Sequence, residues 1–210
     1  MLRAHVSAHL APSPRKREDR MTDTFRIRRI TEPDPAVVEA LADVTQDVVE
    51  GGASVGFMLP LPRARAVGFW RDCLTAVTRG ERILLVAEEI ESGTIVGTVQ
   101  VIVAMPDNQP HRGDIAKMQV HRRARRKGLG AALMRAAETE ARGAGKTVLV
   151  LDTVTGGDAE RLYTRLGWVR VGEIPDYALW PRGGLCSTTL FYRRLADASP
   201  PVLEPPTRDP

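Results

Sequence analysis

Residues 121–133 read HRRARRKGLGAAL. Five of the first seven are Arg or Lys, and the charge then stops at Gly128-Leu129-Gly130. Upstream, GDIAKMQVH (113–121) reads as a strand. Downstream, Leu129, Ala132, Leu133, Ala136 and Ala137 recur at i, i+3, i+4, i+7 and i+8, the stripe of an amphipathic helix. A strand thus feeds a helix through a basic, glycine-rich turn. The free backbone N–H groups of such a helix start, and its dipole, favour an anion at the strand's end. Gly128 and Gly130 carry no Cβ, so a phosphate can approach the backbone closely. Arg125 and its neighbours add charge-assisted contacts. The stretch lacks both the GK[ST] ending of a Walker loop and the third glycine of a dinucleotide fingerprint.

A nucleic-acid patch is the competing explanation, and the charge distribution weakens it. Of 30 Lys/Arg and 26 Asp/Glu, residues 1–20 hold five and two, leaving 25 basic against 24 acidic groups over 21–210. A body this close to neutral steers polyanions weakly, and no nucleic-acid partner is expected. Two cysteines, Cys73 and Cys186, make neither a disulfide framework nor a metal-ligand spacing, so a cytoplasmic, metal-free protein is expected. No apolar run reaches the roughly 20 residues of a membrane span. The length of 210 residues suits one domain.

Elements alternate along the chain. TFRIRRI (24–30) alternates like a first strand, and a helical stripe over 35–49 is broken by GGASVG. A second helix is expected over 62–79. Strands follow at 82–89 and 94–104, joined through ESG, and then the strand at 113–121. After the long helix, TVLVLDTV (147–154) is an apolar strand and AERLYTRLGW (159–168) a short helix closed by Gly167. Two last strands, 168–174 and 186–195, flank a Pro/Gly-rich loop at 175–185. Residues 1–20 are expected to be a disordered or over-extended start, with Met21 able to initiate the folded protein. They are Arg-bearing and partly amphipathic, as a targeting segment would be, but lack its Ser-rich body. Residues 196–210 hold five prolines and are expected to be a disordered tail.

Arg125-Arg126-Lys127-Gly128-Leu129-Gly130 matches R-x-x-G-x-G/A, and Ala159 to Trp168 matches A-x-x-L-Y-x-x-x-G-F/W. On these motifs and the element order, residues 21–195 resemble the GNAT family of N-acetyltransferases. The resemblance implies a mixed α/β fold, with a mostly antiparallel central sheet flanked by helices on both faces. It also implies acetyl-CoA as co-substrate. The pyrophosphate would sit on Arg125, Arg126, Lys127, Gly128, Leu129, Gly130 and Ala131, within a field that Arg122 and Arg123 extend. Backbone groups around Met118, Gln119 and Val120 would pair with the pantetheine arm and meet the developing oxyanion. NQPHRGDIAKM (108–118), VHRRARRKGLG (120–130), LDTVTG (151–156), IPDYAL (174–179) and LCSTTLFY (185–192) are similar to the tabtoxin-resistance branch, whose members acetylate a small amino-acid-like toxin.

Acetyl transfer needs a neutral amine and an acid for the leaving thiolate. The resemblance makes Tyr163 the acid and Asp152 the group that orients or deprotonates the amine. Glu88, Glu89, His121 and water stay open as alternative bases, and Asp158 is expected as a helix N-cap. No acyl-enzyme is required, so neither cysteine is needed as a nucleophile. Many family members carry Asn seven residues before the tyrosine. Here that position is Gly156, so any cofactor contact there must come from backbone groups. Substrate contacts are expected from Asn108, Gln109, His111, Asp176 and Tyr177, which suit a small polar, zwitterionic amine, with a lining from 50–62, 105–112 and 175–185. Three alternatives stand beside transfer to a small amine: a protein or peptide N-acetyltransferase, a non-enzymatic acyl-CoA sensor, and a nucleic-acid binder. The oligomeric state is open, a homodimer among the options.

Overall fold

The computed structural model describes residues 24–195. The expectations for 1–20 and 196–210 lie outside the described residues. Seven strands form one sheet: β1 (Phe25–Ile30), β2 (Arg82–Glu89), β3 (Ile95–Ile102), β4 (Arg112–Val120), β5 (Val148–Val154), β6 (Val169–Leu179) and β7 (Leu185–Arg194). Their spatial order is β1-β2-β3-β4-β5-β7-β6. Every neighbouring pair is antiparallel except β4–β5, which is parallel. The mixed, mostly antiparallel architecture expected from the sequence is the one observed. None of the helices among the described residues is long and apolar enough to cross a membrane.

Helices cover both faces. α1 (Pro35–Glu50) and α2 (Arg63–Thr78) pack on one, and α3 (Leu129–Gly143) and α4 (Asp158–Arg165) on the other. The alternation of β2 divides its side chains accordingly: Leu84 and Val86 enter the α1/α2 core, while Ile83, Leu85 and Ala87 enter the α3 core. α1 begins with Asp34 accepting from the Ala36 N–H at 2.8 Å, and Pro35 sits in its first turn, where the missing N–H costs nothing. α4 ends at a left-handed Gly167 (φ 79°). Its start differs from expectation. Gly157 is the N-cap, and Asp158, inside the first turn, pairs with Arg161 instead of capping. The second difference is β6, which continues to Leu179, so most of the span read as a 175–185 loop is strand. A register shift between Ile174 and Ala178 absorbs Pro175 and the positive-φ Asp176, so pairing with β7 resumes at Ala178.

Candidate active site

The parallel strands β4 and β5 separate along their length. They pair only at Arg112–Val148, Gly113–Leu149 and Asp114–Val150. From Leu151 to Val154, β5 keeps its ladder with β7 but loses β4 on the other edge. On the other side, β4 bulges away from β3: Ala116 pairs with Gln100 and Gln119 with Thr98, leaving Lys117 and Met118 outside the ladder. The result is a cleft of about 990 Å³ between the splayed strands. A splayed strand edge of this kind presents main-chain groups to an amide-bearing ligand as a missing strand would.

The phosphate-loop residues close one end of this cleft. Met118, Gln119, Val120, Arg125, Arg126, Gly128, Leu129, Gly130 and Ala131 all line it. Gly128 is the N-cap of α3 in the left-handed region (φ 82°), and no side chain caps the helix start. The first-turn N–H groups are therefore left to an external acceptor, and the dipole adds to their pull on an anion. Gly130 packs so closely that a Cβ there would meet Leu162 Cδ2 at 3.1 Å, so a side chain would crowd the wall. Arg125 is held over the strand end by Nε donating to the Val120 carbonyl at 3.1 Å. Donors without internal partners, a positive helix end and a Cβ-free surface together fit a pyrophosphate.

The rest of the basic stretch is engaged elsewhere. Arg122 pairs with Asp47 at 2.9 Å, and Arg123 with Glu89 at 3.1 Å. Lys127 lies with its Nζ 5.5 Å from the Phe25 ring centroid and does not line the cleft. The positive field expected from all five residues therefore narrows to Arg125 and Arg126, the latter 3.7 Å from Asp158.

Tyr163 and Asp152 both line the cleft. The phenol is buried, and its hydroxyl has no hydrogen-bond partner among the described residues. Burial, reinforced by the Asp152 charge, raises its pKa far above that of a free phenol. Asp152 is exposed to the cleft and accepts a hydrogen bond from Thr188 Oγ1 at 2.9 Å. Below them, burial raises the Asp114 carboxyl above the usual aspartate range, with Arg112 opposing and Asp152 adding to the shift. Its Oδ1 lies 3.1 Å from Arg112 Nη1 without hydrogen-bond alignment. Nothing in the sequence marks Asp114, since a lone carboxylate near a strand start carries no motif of its own.

Other candidates fall outside the cleft. Glu88 is consumed by Arg26 at 2.8 Å and by Arg28, and Glu89 by Arg123. His121 accepts at Nδ1 from the Arg123 N–H at 3.3 Å, beside Asp47. Asn108, Gln109 and His111 belong to the β3–β4 connection, at the closed end of the parallel pair. There the His111 carbonyl binds the N–H of Thr147 at 2.8 Å, and Lys146 Nζ donates to the Pro110 carbonyl at 2.8 Å. These three residues do not reach the cleft, which opens at the opposite end of the strands. Of the five expected substrate contacts, Tyr177 alone lines it; Asp176 does not. At Gly156 the N–H is taken by Glu160 and the carbonyl by Arg161, so neighbouring Gly157 and Asp158 line the cleft instead.

The acceptor end is walled by 51–56 and by the β6–β7 hairpin. These two segments are tied together. Ser54 Oγ donates to the Leu179 carbonyl at 2.9 Å, and the Leu59 N–H to the Pro181 carbonyl at 2.9 Å.

A family model described as the acetyltransferase (GNAT) family matches residues 56–168. The chain is 32% identical over 168 residues to an uncharacterised N-acetyltransferase from the hisH–hisA intergenic region of Azospirillum brasilense, covering 78% of this chain and 96% of that one. A Salmonella typhimurium protein described as an acetyltransferase, solved with its cofactor acetyl-CoA, superposes with a TM-score of 0.68 at 22% identity, over 85% of this chain and 99% of that one. A ribosomal-protein-alanine N-acetyltransferase from Brucella melitensis superposes with a TM-score of 0.65 at 22% identity, over 81% of this chain and 99% of its own. At such identities the two structural likenesses speak for the fold alone. The sequence matches carry the identification: the chain belongs to the GNAT acetyltransferase family. It is an enzyme, an N-acetyltransferase dependent on acetyl-CoA.

Proposed function

We propose that the enzyme moves the acetyl group directly to the primary amine of a small polar molecule, with amino-acid-like toxins or antibiotics of the tabtoxin-resistance type as the model acceptor. The observation that carries this reading is the bridged acceptor end of the cleft. Ser54–Leu179 joins its two walls, and Leu59–Pro181 ties the chain just beyond them to the hairpin turn, which favours a bounded pocket over an open groove for a peptide. Acetyl-CoA, when bound, supplies the activated acyl group as a thioester. Arg125, Arg126 and the α3 start hold its diphosphate. Backbone groups at the Lys117–Met118 bulge stabilise charge on the thioester oxygen. Asp152 orients the ammonium and takes its proton, directly or through water, so that a neutral amine forms the new N–C bond. As the C–S bond breaks, Tyr163 donates its proton to the departing sulfur, the high pKa keeping the phenol protonated at neutral pH.

A protein or peptide acceptor is the second reading, since the Brucella neighbour of the same fold is described as a ribosomal-protein-alanine N-acetyltransferase. Thiol release compared between free amino acids and N-terminal peptides separates the two. Higher kcat/KM on free amino acids supports the proposal, and higher kcat/KM on peptides overturns it.

A further inference from the structure

Lys117 is a cation placed where the acetyl-transfer chemistry does not call for one. It lies in the β4 bulge with φ 49°, a conformation that L-residues avoid unless their surroundings impose it. The bulge turns its side chain to the α1/α2 face. Nζ donates to the Val55 carbonyl at 3.0 Å and stands 5.4 Å from the Phe69 ring centroid. Met118, the next residue, packs on the other face, 3.9 Å from where a Gly130 Cβ would stand. The bulge therefore sends these neighbours to opposite ends of the cleft, Met118 toward the phosphate loop and Lys117 toward the acceptor.

The other basic residues lining the cleft belong to the loop at 125–126 or to α3 and α4. At the acceptor end Lys117 faces no carboxylate in ion-pair contact among the described residues. A half-buried ammonium without a counter-ion is electrostatically expensive, and burial accordingly lowers the pKa of this lysine. Of its three N–H groups, Val55 takes one and the ring faces another. Gly56 leaves the head group accessible, since a Cβ there would stand 3.3 Å from Nζ. Asp152 lines the same cleft from β5 without pairing with it. The acceptor end thus presents one carboxylate and one ammonium, held apart.

We propose that Lys117 is the anion-recognition residue of the acceptor site, so that the acetylated amine belongs to a molecule that also bears a carboxylate. This rests on reading the cleft as a small-amine site. An ammonium at Asp152 and a carboxylate at Lys117 would neutralise both walls at once, whereas an acceptor lacking the anion would leave Lys117 uncompensated.

The test uses the purified protein with saturating acetyl-CoA and a panel of amino acids, each beside its primary amide, followed by thiol release. For the best acceptor, the free acid is expected to exceed its amide at least tenfold in kcat/KM. Lys117→Met should raise KM for the acid at least tenfold and bring the acid-to-amide ratio near one, with acetyl-CoA affinity kept. Lys117→Arg should retain the preference. Equal turnover of acid and amide by the unmodified enzyme overturns the Lys117 role and leaves transfer to small amines standing. So does a Lys117→Met variant that slows both alike. Turnover of peptides alone, or of no amine at all, overturns the small-amine reading and this inference with it.

Discussion

The Asp152 carboxylate and the Tyr163 phenol face one cleft from consecutive elements, and the charge of the first adds to burial in raising the pKa of the second. A negative group beside a buried phenol disfavours a phenolate, so the hydroxyl reaches the reaction carrying its proton. The same carboxylate is free to act on an amine, because Thr188 occupies only its Oδ2.

Tyr163→Phe keeps the ring that packs 6.0 Å from Trp168 and from Phe191, and removes only the hydroxyl. Turnover should fall by about ten- to a thousandfold, the usual range for a lost general acid, with acetyl-CoA affinity unchanged. Steady-state kinetics and titration calorimetry check this; full turnover would remove the acid role.

Asp152→Asn preserves an acceptor for Thr188 and removes the charge. We expect kcat/KM to fall by about ten- to a thousandfold near neutral pH, and the deficit to shrink as rising pH supplies neutral amine from solution. A deficit of the same size at every pH would assign Asp152 to positioning alone.

Gly128→Asp places a carboxylate and a Cβ on a residue at φ 82°, directly at the α3 start. Strain and repulsion act together, and acetyl-CoA affinity should fall by at least about a hundredfold, some 2.7 kcal/mol. Calorimetry reads it directly, and ordinary affinity would refute the phosphate assignment.

Thr45 links α1 to α2 and to the cleft. It accepts from Trp70 Nε1 at 2.9 Å and donates to Gln119 Oε1 at 3.0 Å, with all three side chains buried. Trp70 can only donate, so the threonine proton must go to Gln119. Thr45→Val strands both partners and should cost about 1–3 kcal/mol in urea unfolding. A change within about 0.5 kcal/mol, the range of an inconsequential surface substitution, would show that the linkage carries no stability.

Glu88 gives the fold an acid-sensitive contact. Burial alone would raise its pKa, but hydrogen bonds from Arg28 and Arg26 outweigh it and hold the carboxyl below the ordinary value of 4.5. The folded state therefore binds this proton more weakly than the unfolded chain does. The stabilisation is complete above the ordinary glutamate range and is lost as pH falls through the lowered folded value. Glu88→Gln should flatten the acid side of a stability-against-pH curve, measured by thermal melts; an unaltered acid limb would contradict the pairing.

Contiguous signals were legible in the sequence. The α3 stripe and the glycines at 128 and 130 depend on local spacing alone, and the tyrosine on its short helix stands in a contiguous motif whose family resemblance implies its role. The structure gathers Gly128, Gly130 and Tyr163 at one cleft. What escaped depends on pairing between distant segments. Asn108, Gln109 and His111 look like substrate ligands until β4 and β5 pair in parallel and put their connection at the wrong end. Asp176 hides a strand because Pro175 reads as a loop, while a register shift lets β6 continue. Lys117 is invisible for the same reason: simple alternation along β4 cannot reveal a bulge set by the shift between Thr98 and Gln100.

Mass-spectrometric identification of the product, made alongside thiol release from acetyl-CoA, tests the enzyme's chemistry most directly. Equimolar coenzyme A and an N-acetylated amino acid, with both signals depressed together in Tyr163→Phe, is the outcome expected of direct transfer in this cleft. Tight acetyl-CoA binding with no N-acetylated product from any free amino acid would contradict it.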